Sequence, residues 1–166
     1  MSVVHFKPLL SDPLEHLTIS QDGKHIVAGS SGVNELIILG GLETTWVIKH
    51  TLTLSGPPTA LVTSTVDDLC YVCVGIQDDG SCQTSGMWNR LIVYSLWVTA
   101  EDGATEVKEL FHVNTTVCTG LVVAPNANAV FTLTQSKKHL KAWSLKSQVG
   151  ITFLKFCNHR KLFFNY

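Results

Sequence analysis

GLVVAPNANAVFTLTQSKKHLKAWSL, residues 120–145, decides the fold. It predicts three antiparallel strands, at 121–124, 129–134 and 139–145. Pro125-Asn126-Ala127-Asn128 turns the chain after the first and Gln135-Ser136-Lys137-Lys138 after the second. The middle strand mixes β-branched, aromatic and small residues (Val130, Phe131, Thr132, Leu133), and Pro and Asn punctuate the turn before it.

The design recurs upstream. Leu121 and Val130 bracket the first strand and turn here. Leu17 and Ile26 bracket HLTISQDGKHIVAG with the same nine-residue step, and so do Leu61 and Cys70 in ALVTSTVDDLCYVCVG. Third strands follow as NELIILG (34–40), NRLIVYSL (89–96) and HLKAWSL (139–145). Further strands are expected at 46–54 and 107–113, each ahead of a first strand, and at 3–10, entering the first unit. Four short strands per unit at a period of about 40–50 residues is the signature of a β-propeller blade. The predicted class is all-β: about three blades of an incomplete propeller at 3–42, 46–97 and 107–147, then an atypical basic and aromatic tail at 150–166. No window carries a helical period with caps.

Within these units the chain resembles the WD-repeat family. Ala142-Trp143-Ser144-Leu145 stands where that family has its Trp-Asp ending, and Val93-Tyr94-Ser95-Leu96 is a weaker version. The resemblance runs over about residues 3–149. Ser95 and Ser144 replace the Asp, no Gly-His dipeptide precedes a first strand, and the 135–138 turn lacks its Asp. Met1-Ser2-Val3-Val4-His5 and Leu133-Thr134-Gln135-Ser136-Lys137-Lys138-His139-Leu140 are similar to the WD subunits of tRNA guanine-N7 methyltransferases. The resemblance implies a WD40-like, non-catalytic scaffold in an RNA-modifying or RNA-processing complex, with no cofactor and no metal. Its expected partners are a protein such as a catalytic subunit, and RNA. The alternatives are a propeller enzyme of the hydrolase type, or a short splice form with no activity of its own.

Composition sets outer bounds. A chain of 166 residues suits one domain, and 45% hydrophobic residues can build a core. Only 15% are charged, which points to surface covered by something else. No apolar run reaches the ~18 residues that span a bilayer, and Lys7, Asp12 and Glu15 interrupt any leader. The expectation is a soluble protein of nucleus or cytoplasm, with no membrane contact. Three blades fall short of the usual 4–8. The chain is therefore expected to be a piece of a longer propeller, or to oligomerise through open sheet edges.

Charge is segregated. All 13 acidic residues lie at or before Glu109; beyond it stand Lys137, Lys138, Lys141, Lys146, Lys155, Arg160 and Lys161. Lys137, Lys138, Lys141, Lys146, Arg160 and Lys161 are thus the expected partner- or RNA-binding residues. Cys70 and Cys73 form C-x-x-C, but strand positions three apart point to opposite faces, so a metal or redox pair is not expected. Cys70, Cys73 and Cys118 read as core thiols. The seven histidines are dispersed; His16 and His139, at strand starts, are expected to satisfy backbone groups. Gly29-Ser30-Ser31-Gly32 is not G-x-S-x-G. Asp67-Asp68 and Asp78-Asp79 read as solvated turns, so no catalytic residue is expected.

Overall fold

The computed structural model describes residues 12–42, 45–66, 69–77, 89–98, 104–115, 117–124, 129–134, 139–145 and 150–155. The expected strand at 3–10 lies outside them. Among the described residues every regular element is a strand. The first sheet holds β1 (His16–Ile19), β2 (His25–Ser30), β3 (Glu35–Leu42) and β4 (Thr45–Thr53). The second holds β5 (Pro58–Val66), β6 (Leu69–Ile76), β7 (Asn89–Val98) and β8 (Thr105–Thr115). The third holds β9 (Cys118–Val123), β10 (Ala129–Thr134), β11 (His139–Ser144) and β12 (Gly150–Lys155). Each sheet is an antiparallel meander in which strands adjacent in sequence are hydrogen-bonded neighbours. The strands expected at 46–54 and 107–113 are the last strands of the sheets they follow.

The first strands pack on one another, β1 against β5 and β5 against β9. They form the inner margin of three sheets stacked like blades, the arrangement the nine-residue step predicts. Leu17, Leu61 and Leu121 pair with Ala28, Val74 and Thr132, each from the second strand of its own sheet.

Two apolar clusters hold the stack together. Between the first and second sheets lie Val27, Leu36, Ile38, Cys70, Val72, Val74, Ile92, Tyr94 and Leu96. Between the second and third lie Cys73, Leu91, Val93, Phe111, Val130 and Trp143. The middle sheet is covered on both faces, and its strands therefore read as continuous apolar runs, LCYVCVGI and NRLIVYSL, rather than alternating ones.

Local chemistry sets the connections. Ser20 to Gly23 is a β-turn closed by the Gly23 N–H donating to the Ser20 carbonyl at 2.9 Å, with Gly23 at φ 70°. Asp22 accepts from the Ser20 hydroxyl at 2.6 Å and from the Lys24 N–H at 3.1 Å, so the carboxylate braces the turn. Gly56 owes its place to close approach. A Cβ there would stand 2.1 Å from the Gln77 carbonyl oxygen, beside a bond from the Gln77 N–H to the Pro57 carbonyl at 3.0 Å.

Trp143 is buried, and its cross-strand partner is Val130, while Phe131 pairs with Ala142. Successive residues of β10 face opposite sides, so Trp143 packs toward the second sheet and Phe131 faces away from it. The indole N–H donates to the Thr132 hydroxyl at 3.2 Å, from the same face of the sheet.

Candidate functional site

The chemistry-bearing side chains gather where the inner strands begin. His16 opens β1 and faces the second sheet. Its Nε2 lies 2.9 Å from the Pro58 carbonyl oxygen. A carbonyl can only accept, so Nε2 carries a proton and donates it, leaving Nδ1 as the ring nitrogen not used in this bond. The Ser31 hydroxyl, from the turn after β2, reaches the same carbonyl at 3.5 Å. Gly29 makes room for this junction: a Cβ there would sit 3.2 Å from the Pro58 ring and 3.5 Å from the His16 Cβ. Further along, the Thr18 and Thr63 hydroxyls meet at 2.9 Å, and Thr63 donates to the Ile19 carbonyl at 2.7 Å.

The next junction uses the same device. Gly75, on the second strand of the middle sheet, lies against Cys118 at the start of β9; a Cβ there would stand 2.9 Å from the Cys118 Cβ and 3.1 Å from the Thr59 hydroxyl. That hydroxyl is buried with no hydrogen-bond partner among the described residues. The rim thus brings the His16 imidazole and the hydroxyls of Ser31, Thr18 and Thr63 together on a narrow strip of backbone.

The cysteines are sorted by the sheet. Cys70 lies in the first cluster and Cys73 in the second, on opposite faces, as strand alternation requires. Burial pushes the Cys70 and Cys118 thiols up to about 11 and drives Cys73 higher still, so all three are protonated at neutral pH. Ser30 is fully buried, which removes it from any reaction with solvent-borne substrate.

Of the expected basic residues only Lys141 is described: it stands on β11 with its ammonium 5.8 Å from the centre of the Trp143 ring. Lys137, Lys138, Lys146, Arg160 and Lys161 lie outside the described residues, as do Asp67-Asp68 and Asp78-Asp79. His16 satisfies a backbone group as expected. Its position at a rim was not apparent, because the contact reaches 42 residues along the chain into the next unit. The available signal is that the residue before the marker leucine is His16 in the first unit but Ala60 and Gly120 in the others.

No family model and no curated protein matches the chain. Solved structures do. A candidate 6-phosphogluconolactonase of Bacteroides uniformis matches with a TM-score of 0.60 at 12% identity, over 84% of this chain and 38% of its own. A second, from Bacteroides fragilis, gives 0.57 at 11%, over 89% of this chain and 39% of its own. The dihydro-heme d1 dehydrogenase NirN gives 0.56 at 12%, over 85% of this chain and 28% of its own. The chain spans about two fifths or less of the length of the structures it matches. At such identities the shared property is the fold, which is of the lactonase-like propeller type.

These likenesses correct two expectations. The WD-repeat resemblance, and with it the link to tRNA methyltransferase subunits and the scaffold role, does not stand: the matches are to lactonase-like propellers and NirN. Its motifs record a buried aromatic, Tyr94 or Trp143, on the third strand of the second and third sheets. Ser95, for one, donates to the Lys108 carbonyl at 3.4 Å within its own sheet. The expectation of a non-catalytic chain falls with it, since these neighbours carry the names of enzymes.

Proposed function

We propose that the chain forms three blades of a propeller hydrolase that opens a lactone or similar cyclic ester at the inner-strand rim. The observation that carries this is the fold likeness to the two candidate lactonases. The rim chemistry is compatible with it. With Nε2 committed to the Pro58 carbonyl, His16 can take a proton at Nδ1 from a water attacking the ester carbon. The ring C–O bond then breaks, and the same proton passes to the departing alkoxide, leaving a hydroxy acid. The Ser31 hydroxyl stands where it can bind substrate oxygens.

The test is acid release from the lactone of 6-phosphogluconate, and from unphosphorylated δ-lactones, followed by titration at constant pH. Purified protein should exceed the spontaneous rate, and His16→Ala should lose about 10²–10⁴-fold, the usual contribution of a general base. A rate equal to buffer alone on every lactone overturns the proposal. An active enzyme indifferent to His16→Ala removes His16 from it.

A further inference from the structure

The seam between the first and second sheets is fastened unevenly along its length. At the rim His16 donates to the Pro58 carbonyl at 2.9 Å, and one rung further in the Thr18 and Thr63 hydroxyls meet at 2.9 Å. The next rung carries His25 on the first sheet, on the face it shares with Val27, and Cys70 on the second, on the face it shares with Val72. The Asp22 charge acts on both His25 and Cys70, which sets the two at the same end of the seam. The backbone of His25 is held by Ser20, whose N–H donates to its carbonyl and whose hydroxyl accepts its N–H, each at 2.9 Å. Its ring is buried at the seam, and neither nitrogen has a partner among the described residues. The hairpin of β1 and β2 that carries the ring is lightly anchored on its inner strand, where Leu17 is 72% and Ile19 57% exposed.

We propose that His25 is an acid-operated latch on this seam: a proton taken up there swings the β1–β2 hairpin off the second sheet, breaks the Thr18–Thr63 and His16–Pro58 contacts, and withdraws His16 from the rim. The latch regulates the proposed active site, and its consequence for activity rests on the hydrolase reading. A buried imidazolium needs acceptors or water for both nitrogens and finds neither at this rung. Its surroundings do not supply a second anion. Lys24, beside it on β2, and Lys49 of β4 are cations that repel it; the Lys49 stem lies over Gly40, the cross-strand partner of His25. Asp22 attracts it but is already engaged by the Ser20 hydroxyl and the Lys24 N–H. On the second sheet β5 brings no titratable group, and burial keeps Cys70 and Tyr94 protonated and neutral, at about 11 and about 12. The other histidines at this seam, His16 and His50, donate from Nε2 to the Pro58 and Thr105 carbonyls, a bond the charged ring also makes, so protonating them opens nothing. The exposed ring takes its proton near the ordinary 6.5 and the buried ring only at lower pH. Acid therefore favours the opened hairpin, by a factor of about 1 at pH 7.5 and about 10 at pH 5.5.

The experiment is amide exchange of the full chain at pH 7.5 and pH 5.5, corrected for the intrinsic rate, in wild type and in His25→Leu. Residues 16–30 should open about tenfold more often at the lower pH, residues 118–134 should not, and His25→Leu should abolish the difference. Protected amides in β6 and β7 show that the variant is folded. An equal rise in the third sheet is general loosening by acid and overturns the latch; the wild type alone decides this point should the variant fail to fold. A rise confined to the hairpin but kept in His25→Leu overturns His25 as its cause, and no rise at all overturns the opening. Exchange is read without substrate, so the latch and the hydrolase reading fail separately: a chain whose hairpin opens in acid but which hydrolyses no lactone keeps the first and loses the second.

Discussion

His25 is 3% exposed, and neither ring nitrogen has a hydrogen-bond partner among the described residues. Burial disfavours its charged form and lowers its pKa below 6.5, outweighing the attraction of Asp22. The unfolded chain therefore takes up this proton first on acidification. The stability owed to neutral His25 is complete above about pH 6.5 and is lost as pH falls through that value toward the folded pKa. Asp22 acts lower down. Burial opposes its ionisation, but the Ser20 hydroxyl, the Lys24 N–H and nearby positive charge hold its pKa below 3.8, so its contribution is lost only as pH falls through that depressed value. Urea midpoints measured between pH 8 and pH 5 should fall across this window, and His25→Leu should flatten the fall. An equally steep fall in the variant would assign the effect elsewhere.

At the scale of the strand, Trp143 joins two sheets: it fills the cluster against Val93 and Phe111, and its N–H is satisfied by Thr132. Trp143→Ala should cost about 3–5 kcal/mol in urea titration, and a loss below about 1 kcal/mol would contradict its burial. The strands themselves were legible in the sequence, because Leu17, Leu61 and Leu121 each stand nine residues before an apolar residue of the next strand, with turn residues between them. What Trp143 meets was not legible: its partner is Val130, while Phe131, next in sequence, lies on the other face. The site was less legible still. His16 gains its meaning from the Pro58 carbonyl of another unit, and no local pattern announces a contact between blades. The family was misread for a related reason, since Ala-Trp-Ser-Leu records the demands of a buried third strand and not a lineage.

Across the whole molecule, the middle sheet is the one that contributes to both apolar clusters. Val72, Val74, Leu91, Val93 and Leu96 of β6 and β7 are fully buried between two clusters, whereas each flanking sheet shares only one. Amide exchange under native conditions should therefore be slowest in β6 and β7; slowest exchange in β10 and β11 would place the most stable unit elsewhere. The meander order has a last consequence. Every strand pairs with its neighbour in sequence, so each sheet closes loops of only a few residues to a dozen or so. Such a chain owes little entropy to distant pairings. Order of synthesis can become order of assembly: the first meander can form before the second has been made, and each newcomer finds an apolar wall already standing for it to lean on.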